Sequence, residues 1–475
     1  MKPVQTPFLR IVILFFAIIS SSCTKLSEST LTHQIWLPWF NSQGSYSIQK
    51  VNVATVTNWS PLRGSAAQIR SNVKQIDNDT FSSQEVILQY SEDESGAIIP
   101  MSRFSMEVAS IYAHFERLQK LDKDFNVPDS DVARKVYVKF LDYVPGGYIR
   151  INNASYDAAN DSFFILPYML KRIPLSVNGG VLAHEYFHSI FARFVWLPLN
   201  KKLQSLTNKS VLSLNESNIP KKEINEVKSF FQEKPLNVSS VEETSAPSME
   251  KTTSSNQNIN ATVPSLQSKD TELPKITSIE TLDSLNLNAN LKIKFINRTI
   301  FLGMNEGLAD IWGWLYTGDP CFMSASFGSG LTNERCLNVD PIKLKLKDSD
   351  SLGSNYSGFR SVEEQVRENI YPFGTNLAQL IYLRIAERGE LQDAMVLRQW
   401  AKRIIEVLPS FLPHLTTVFL DEESKKSIID WKKMVDTLLF GPGSTPVLPE
   451  NCQRWQTIFG YNNKLFENFN SKCTH

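Results

Sequence analysis

The sequence predicts an α+β protein in which a small β-rich N-terminal region leads into a mixed part and then a mainly helical one. Three observations predict it. Short β-like runs, "YSIQKVNVATVTNW" and "QEVILQY", alternate with turn-rich polar stretches before residue 98. "SMEVASIYAHFERLQKL" places Val108, Ile111, Tyr112, Phe115 and Leu118 on one side of a helix. From Tyr371 onward, apolar residues recur at helical spacing through "YPFGTNLAQLIYLRIAERG", "AMVLRQWAKRIIEVL" and "SIIDWKKMVDTLLF".

The first residues read as a targeting segment. Lys2 and Arg10 precede the apolar run "IVILFFAII", and small residues then lead to Cys23. That run is about half the ~20 residues a spanning helix needs. Residues 1–22 resemble a bacterial lipoprotein signal, which implies a lipid on Cys23; Ser20 stands where that pattern carries a bulkier aliphatic residue. The other reading is ordinary secretion with Cys23 free or removed. A lipid there would tie the protein to a membrane of the bacterial cell envelope. Thr24 and Lys25 supply no aspartate retention signal, so the outer membrane or cell surface is favoured over the inner membrane.

Composition narrows the partners. Lys plus Arg and Asp plus Glu are both 49, for a formal net charge of zero. A global electrostatic grip on nucleic acid, which needs an excess of basic charge, is not expected. With Cys23 set aside, Cys321, Cys336, Cys452 and Cys473 form two close sequence pairs without CxxC metal spacing. In an exported chain, disulfides Cys321–Cys336 and Cys452–Cys473 are expected.

Along the chain, residues 23–98 form the β-rich region and 99–200 a mixed subdomain. "IWLPWF" in the first of these reads as core or docking surface. "ARKVYVKFLDYV" and "DSFFILPYM" read as strands, and "PLSVNGGVLAHEYFHSIFARFVW" as a long helix. Residues 201–290 are rich in Ser, Thr, Asn, Lys and Glu and hold few large apolar side chains. Such a stretch buries too little surface to offset its ordering entropy and is expected to be a disordered insertion. Residues 291–475 form the helical subdomain. It opens with "NRTIFLGMNEGLADIWGWLYTGDP", a helix that Gly318 and Pro320 end.

Two stretches carry chemistry. In "HEYFH", His184 and His188 stand one turn apart on one helical face, where both imidazoles can reach one zinc ion. Glu185 is rotated by about 100° and is free to take a proton from water. The spelling alone arises by chance in roughly one in a hundred such chains. The alternative is a pair of buried, hydrogen-bonded histidines. A hydrolytic zinc needs a third protein ligand and an open position. "NEGLAD" offers Glu306, with Asp310 one turn later to hold an imidazole.

HEYFH followed by NEGLAD resembles the gluzincin metallopeptidases, thermolysin-like ones in particular. The resemblance covers residues 100 to about 390 apart from the insertion. It implies a thermolysin-like zincin fold and one Zn2+ per chain, held by His184, His188 and Glu306. Glu185 would be the general base, and Asp310 would orient His184. "NNASYDAANDSFFILPYM" resembles the family's edge strand, which sets Asn153 and Ala154 beside the backbone of a peptide or protein substrate. Where the family carries an oxyanion-binding histidine, this chain has Tyr371 at the start of an expected helix. A phenol can donate the same bond, and Tyr168, Tyr316 and His414 are alternatives. No acidic cluster has calcium-loop spacing. The expected function is therefore a zinc peptidase, an endopeptidase in preference to an aminopeptidase. The second expectation is a non-catalytic surface lipoprotein that keeps the zinc helix pair.

Overall fold

Alternation in "HQIWLPWF" builds β1 (His33–Phe40), which turns Ile35, Leu37 and Trp39 inward, so "IWLPWF" is core. In the computed structural model, residues 32–41, 45–75, 81–143, 149–202, 205, 285–328, 335–339, 362–386, 389, 391, 393–420, 429 and 431–440 are described. Cys23, Cys452, Cys473, the signal segment and nearly all of the 201–290 insertion lie outside them.

Among the described residues the architecture is mixed α+β. One sheet has the order β2 (Tyr46–Val53), β1, β8 (Ile98–Pro100), β7 (Tyr90–Glu92), with only the β1–β8 pair parallel. A five-stranded sheet has the order β12 (Ala154–Asp157), β13 (Ser162–Ile165), β9 (Arg134–Val138), β5 (Ala67–Gln75), β6 (Phe81–Glu85). Strand β9 runs parallel to both β5 and β13, while β12 is the antiparallel edge, with Ala154 opposite Ile165. This sheet takes strands from both sides of residue 98, so the β-rich region and the mixed part share one layer. Two small hairpins complete the strands: β3 (Val56–Trp59) with β4 (Leu62–Gly64), and β10 (Asp142–Tyr143) with β11 (Ile149–Arg150).

Helix α1 (Arg103–Asp124) starts at Ser102, whose hydroxyl accepts from the Ser105 N–H. Its predicted stripe, Val108 to Leu118, is buried. Helix α2 (Gly179–Phe191) carries HEYFH and runs on into a π-helical turn, Ala192–Trp196. It begins later than the apolar pattern suggests. Asn178 is an N-cap: its Oδ1 accepts from the N–H groups of Gly180 (3.0 Å) and Val181 (3.2 Å), and residues 174–178 form a turn instead. The Asn178 amide also donates to Phe322 O and Ser326 Oγ, both at 2.9 Å, which ties the helix start to another part of the chain.

Helix α3 (Leu285–Thr317) carries NEGLAD and ends at Gly318, whose φ is 77°. The short α4 (Ser324–Phe327) follows. Helix α5 (Val362–Ala386) begins well before Tyr371, which corrects the expectation of a helix start there. "YPFG" imitates a first turn because proline is favoured at that position, yet here Pro372 sits inside the helix. Helices α6 (Ala394–Leu420) and α7 (Trp431–Phe440) match the two remaining helical patterns.

Glycines let α3 touch both of its partners backbone to backbone. A Cβ on Gly313 would lie 2.9 Å from Gly180 O on α2, and one on Gly307 would lie 2.3 Å from Gly374 O on α5. Side chains at these points would force the helices apart. Gly307→Val is expected to destabilise the fold by ~2–3 kcal/mol, the upper range of overpacking costs. A denaturation midpoint unchanged by the substitution would refute the close crossing.

Candidate metal centre

Helical geometry places His184 and His188 side by side on α2, and the crossing with α3 sets Glu306 opposite them. The two Nε2 atoms are 3.2 Å apart. Glu306 Oε2 lies 3.4 Å from His184 Nε2, and its Oε1 lies 3.6 Å from His188 Nε2. His184 Nδ1 is 3.0 Å from Asp310 Oδ1, within ion-pair range though poorly aligned for a hydrogen bond. His184 and Asp310 are buried, whereas the side chains of His188 and Glu306 keep 12% and 16% of their surface open, so the cluster can be reached.

Ligand atoms of His184, Glu185 and His188 all lie within 4.8 Å of one another, and this group can hold a metal ion. Glu306 meets both imidazoles more closely than that limit and belongs to the same donor cluster. Glu185 also lies by the edge strand, where the Tyr156 backbone N–H favours its charged form.

The electrostatics follow from burial and charge. Burial lowers the basicity of His184, but Asp310 and Glu306 outweigh it and raise the imidazole to about 9. At His188 burial dominates and lowers the pKa to about 4. Burial pushes Glu185 up to about 8. Burial also opposes ionisation of Glu306, yet the two histidines and Arg335 overcome it and hold the carboxylate at about 2.

Arg335 is the site residue that sequence reasoning missed. Its Nη2 donates to Asp310 Oδ1 (2.7 Å) and Glu306 Oε2 (3.3 Å), and its Nε donates to Asp310 Oδ2 (3.3 Å). A single arginine in "NERC" follows no spacing rule. The one hint was its neighbour Cys336, which forms the expected disulfide with Cys321.

The guanidinium of Arg335 lies 4.7 Å from the centre of the Tyr371 ring. Burial first, then the charges of Glu306, Glu185 and Asp310, hold the Tyr371 phenol well above its usual range. Tyr371 therefore stands at the cluster although it lies in a helix interior. The alternatives point elsewhere. The Tyr168 hydroxyl donates to Ser326 O at 2.6 Å, and the Tyr316 hydroxyl bonds to His114 Nδ1 at 2.9 Å. His414 lies on α6, and no described hydrogen bond or ion pair links it to the cluster.

Asn153 and Ala154 open the edge strand and are both buried. The Asn153 amide nitrogen has no hydrogen-bond partner among the described residues. Beneath the cluster, the Tyr186 hydroxyl donates to Asp122 Oδ2 at 2.6 Å, and Arg134 Nη2 donates to the same oxygen at 2.9 Å. These three buried groups pin α2 to α1 and to the five-stranded sheet. Burial raises Asp122 to about 6 even against Arg134.

No protein-family model matches the chain, and no curated protein matches it.

Proposed function

We propose that the cluster binds one zinc ion and that the protein is a zinc peptidase of gluzincin type with a thermolysin-like catalytic fold. The observation that carries the reading is the spacing of three donors from two helices. His184 Nε2 and His188 Nε2 are 3.2 Å apart, and the Glu306 carboxylate faces both, Oε2 at 3.4 Å from the first and Oε1 at 3.6 Å from the second. Ligands around a tetrahedral zinc with bonds of ~2.0–2.1 Å stand about 3.3 Å apart. Two imidazoles and a carboxylate also match the ligand set of hydrolytic zinc.

Bound there, zinc supplies Lewis-acid polarisation of a carbonyl and acidifies water. The chain's own groups do the rest. Glu185 takes the water's proton at its carboxylate and delivers it to the leaving amine. A nearby cation lowers the high pKa that burial gives Glu185, so the carboxylate is ionised when it is needed. The buried, unpartnered amide of Asn153 suits a substrate carbonyl, and β12 presents an edge to which an extended peptide can add as a strand. The Tyr371 phenol serves as donor to the developing oxyanion. The substrate is a peptide or protein. With lipid on Cys23, the enzyme would work at the cell envelope, held to a membrane by its anchor.

The second reading is a zinc-binding surface lipoprotein without activity. What favours it is that Arg335 already bonds Glu306 and that the family's histidine is absent. What opposes it is Glu185, a buried carboxylate that a purely structural zinc does not need.

Residues 24–475 with Cys23→Ser should cleave an unfolded protein and lose that activity to a chelator. Stoichiometric zinc without cleavage would favour the second reading. Metal binding should also release protons. His184, at about 9, carries a proton at pH 7 that zinc must displace. Glu185, at about 8, gives up a second proton as the ion lowers its pKa. Affinity should therefore rise more than tenfold per pH unit below about pH 8 and roughly tenfold per unit from there to pH 9. Calorimetry in two buffers of different ionisation enthalpy measures the release, and zero protons would remove His184 from the ligand set.

A further inference from the structure

We propose that the Cys321–Cys336 disulfide seats Arg335 against the metal-site carboxylates, so that reducing it loosens the metal. The inference rests on the zinc reading above. Cys321 lies in the turn just after α3, the helix that carries Glu306 and Asp310, and its N–H donates to Asp319 Oδ1 at 2.8 Å. Cys336 is buried and directly follows Arg335. The bond therefore staples the segment bearing the cation to the helix bearing the two anions, with the Cα atoms 4.5 Å apart.

Arg335 needs such a staple. Glu306 and Asp310 are like charges one turn apart, and both must keep their oxygens toward the histidines. A guanidinium bridging them holds that geometry and cancels their repulsion. Arginine is long, and its seating costs side-chain freedom unless its backbone is already fixed. The disulfide fixes it by closing a loop with a sequence separation of 15. Two other described bonds hold the segment: Leu337 N–H to Pro320 O and the Gln379 amide to Cys336 O, both 3.0 Å. Both act on the residues after Arg335. Arg335 is thus a positioning residue, working through Asp310 and Glu306.

The chemistry of release is ordinary thiol exchange. A dithiol's thiolate attacks one sulfur, the S–S bond breaks, and the freed cysteine thiolate takes a proton. The reductant's second thiol then closes its own disulfide and frees the other cysteine. The metal site would be tight where thiols are oxidised and loose where they are reduced.

The test measures zinc affinity of the full chain by competition with a chromophoric chelator. The samples are oxidised wild type, wild type reduced with a phosphine and alkylated, Cys321→Ser/Cys336→Ser, Arg335→Met, and the triple variant. Loss of the disulfide and loss of Arg335 should each weaken zinc ten- to a hundredfold, the usual effect of outer partners of metal ligands. The triple variant should be no weaker than either, because both act through one contact. Wild-type affinity in the reduced protein, or losses that multiply in the triple variant, would overturn the proposal. Reduction would also open the expected Cys452–Cys473 bond, so if the Cys321 and Cys336 serine variants do not fold, Cys452→Ser/Cys473→Ser compared oxidised and reduced decides together with Arg335→Met. Absence of zinc from oxidised wild type would instead sink the zinc reading, and this inference with it.

Discussion

Glu185→Gln is expected to leave zinc bound and lower turnover by ~10²–10⁴-fold, the contribution of a general base. The amide has the carboxylate's shape and can still accept the Tyr156 N–H, but it cannot take a proton. The substitution should not harm the fold. Burial already pushes Glu185 up to about 8, so the ion-free protein holds a neutral group there at pH 7. A neutral amide therefore replaces a group that is already neutral and brings no new charge into the interior. Turnover on an unfolded protein, measured beside zinc stoichiometry and a melting curve, separates the three effects. A variant as active as its parent would rule out Glu185 as the base.

Glu306→Ala attacks the metal instead. Zinc affinity is expected to fall by ~10²–10³-fold, one ligand's share of a binding free energy of about 10–16 kcal/mol spread over four ligands. His184 would lose one of the two carboxylates that raise it, and its pKa should fall from about 9. Arg335 would keep its paired bonds to Asp310. Because the Glu306 side chain is 16% exposed, its loss leaves no sealed cavity, and metal loss can be told from unfolding. His184→Ala should lose metal as well, but it also leaves Asp310 buried without its imidazole. Retention of tight zinc by Glu306→Ala would shift the carboxylate ligand to Glu185, which lies in the same group.

Much of the cluster was legible in the chain because it is local. Histidines at i and i+4 share a helical face whatever surrounds them, and Glu306 and Asp310 do so for the same reason. The Cys321–Cys336 pair was readable because few cysteines stand so close. Helix limits were less legible. Asn178 satisfies backbone donors that an apolar pattern ignores, and Pro372 imitates a helix start inside α5.

By itself, then, the sequence determined the α+β class, the residues of HEYFH and NEGLAD, and the side of each helix on which they lie. Only the tertiary structure decided that the two motifs meet, that Arg335 bridges Asp310 and Glu306, and that Tyr371 stands over that bridge. The physical reason is that helix periodicity is set by neighbours a few residues away. Meeting depends on where backbones can touch, here at Gly180 with Gly313 and Gly307 with Gly374, far apart along the chain.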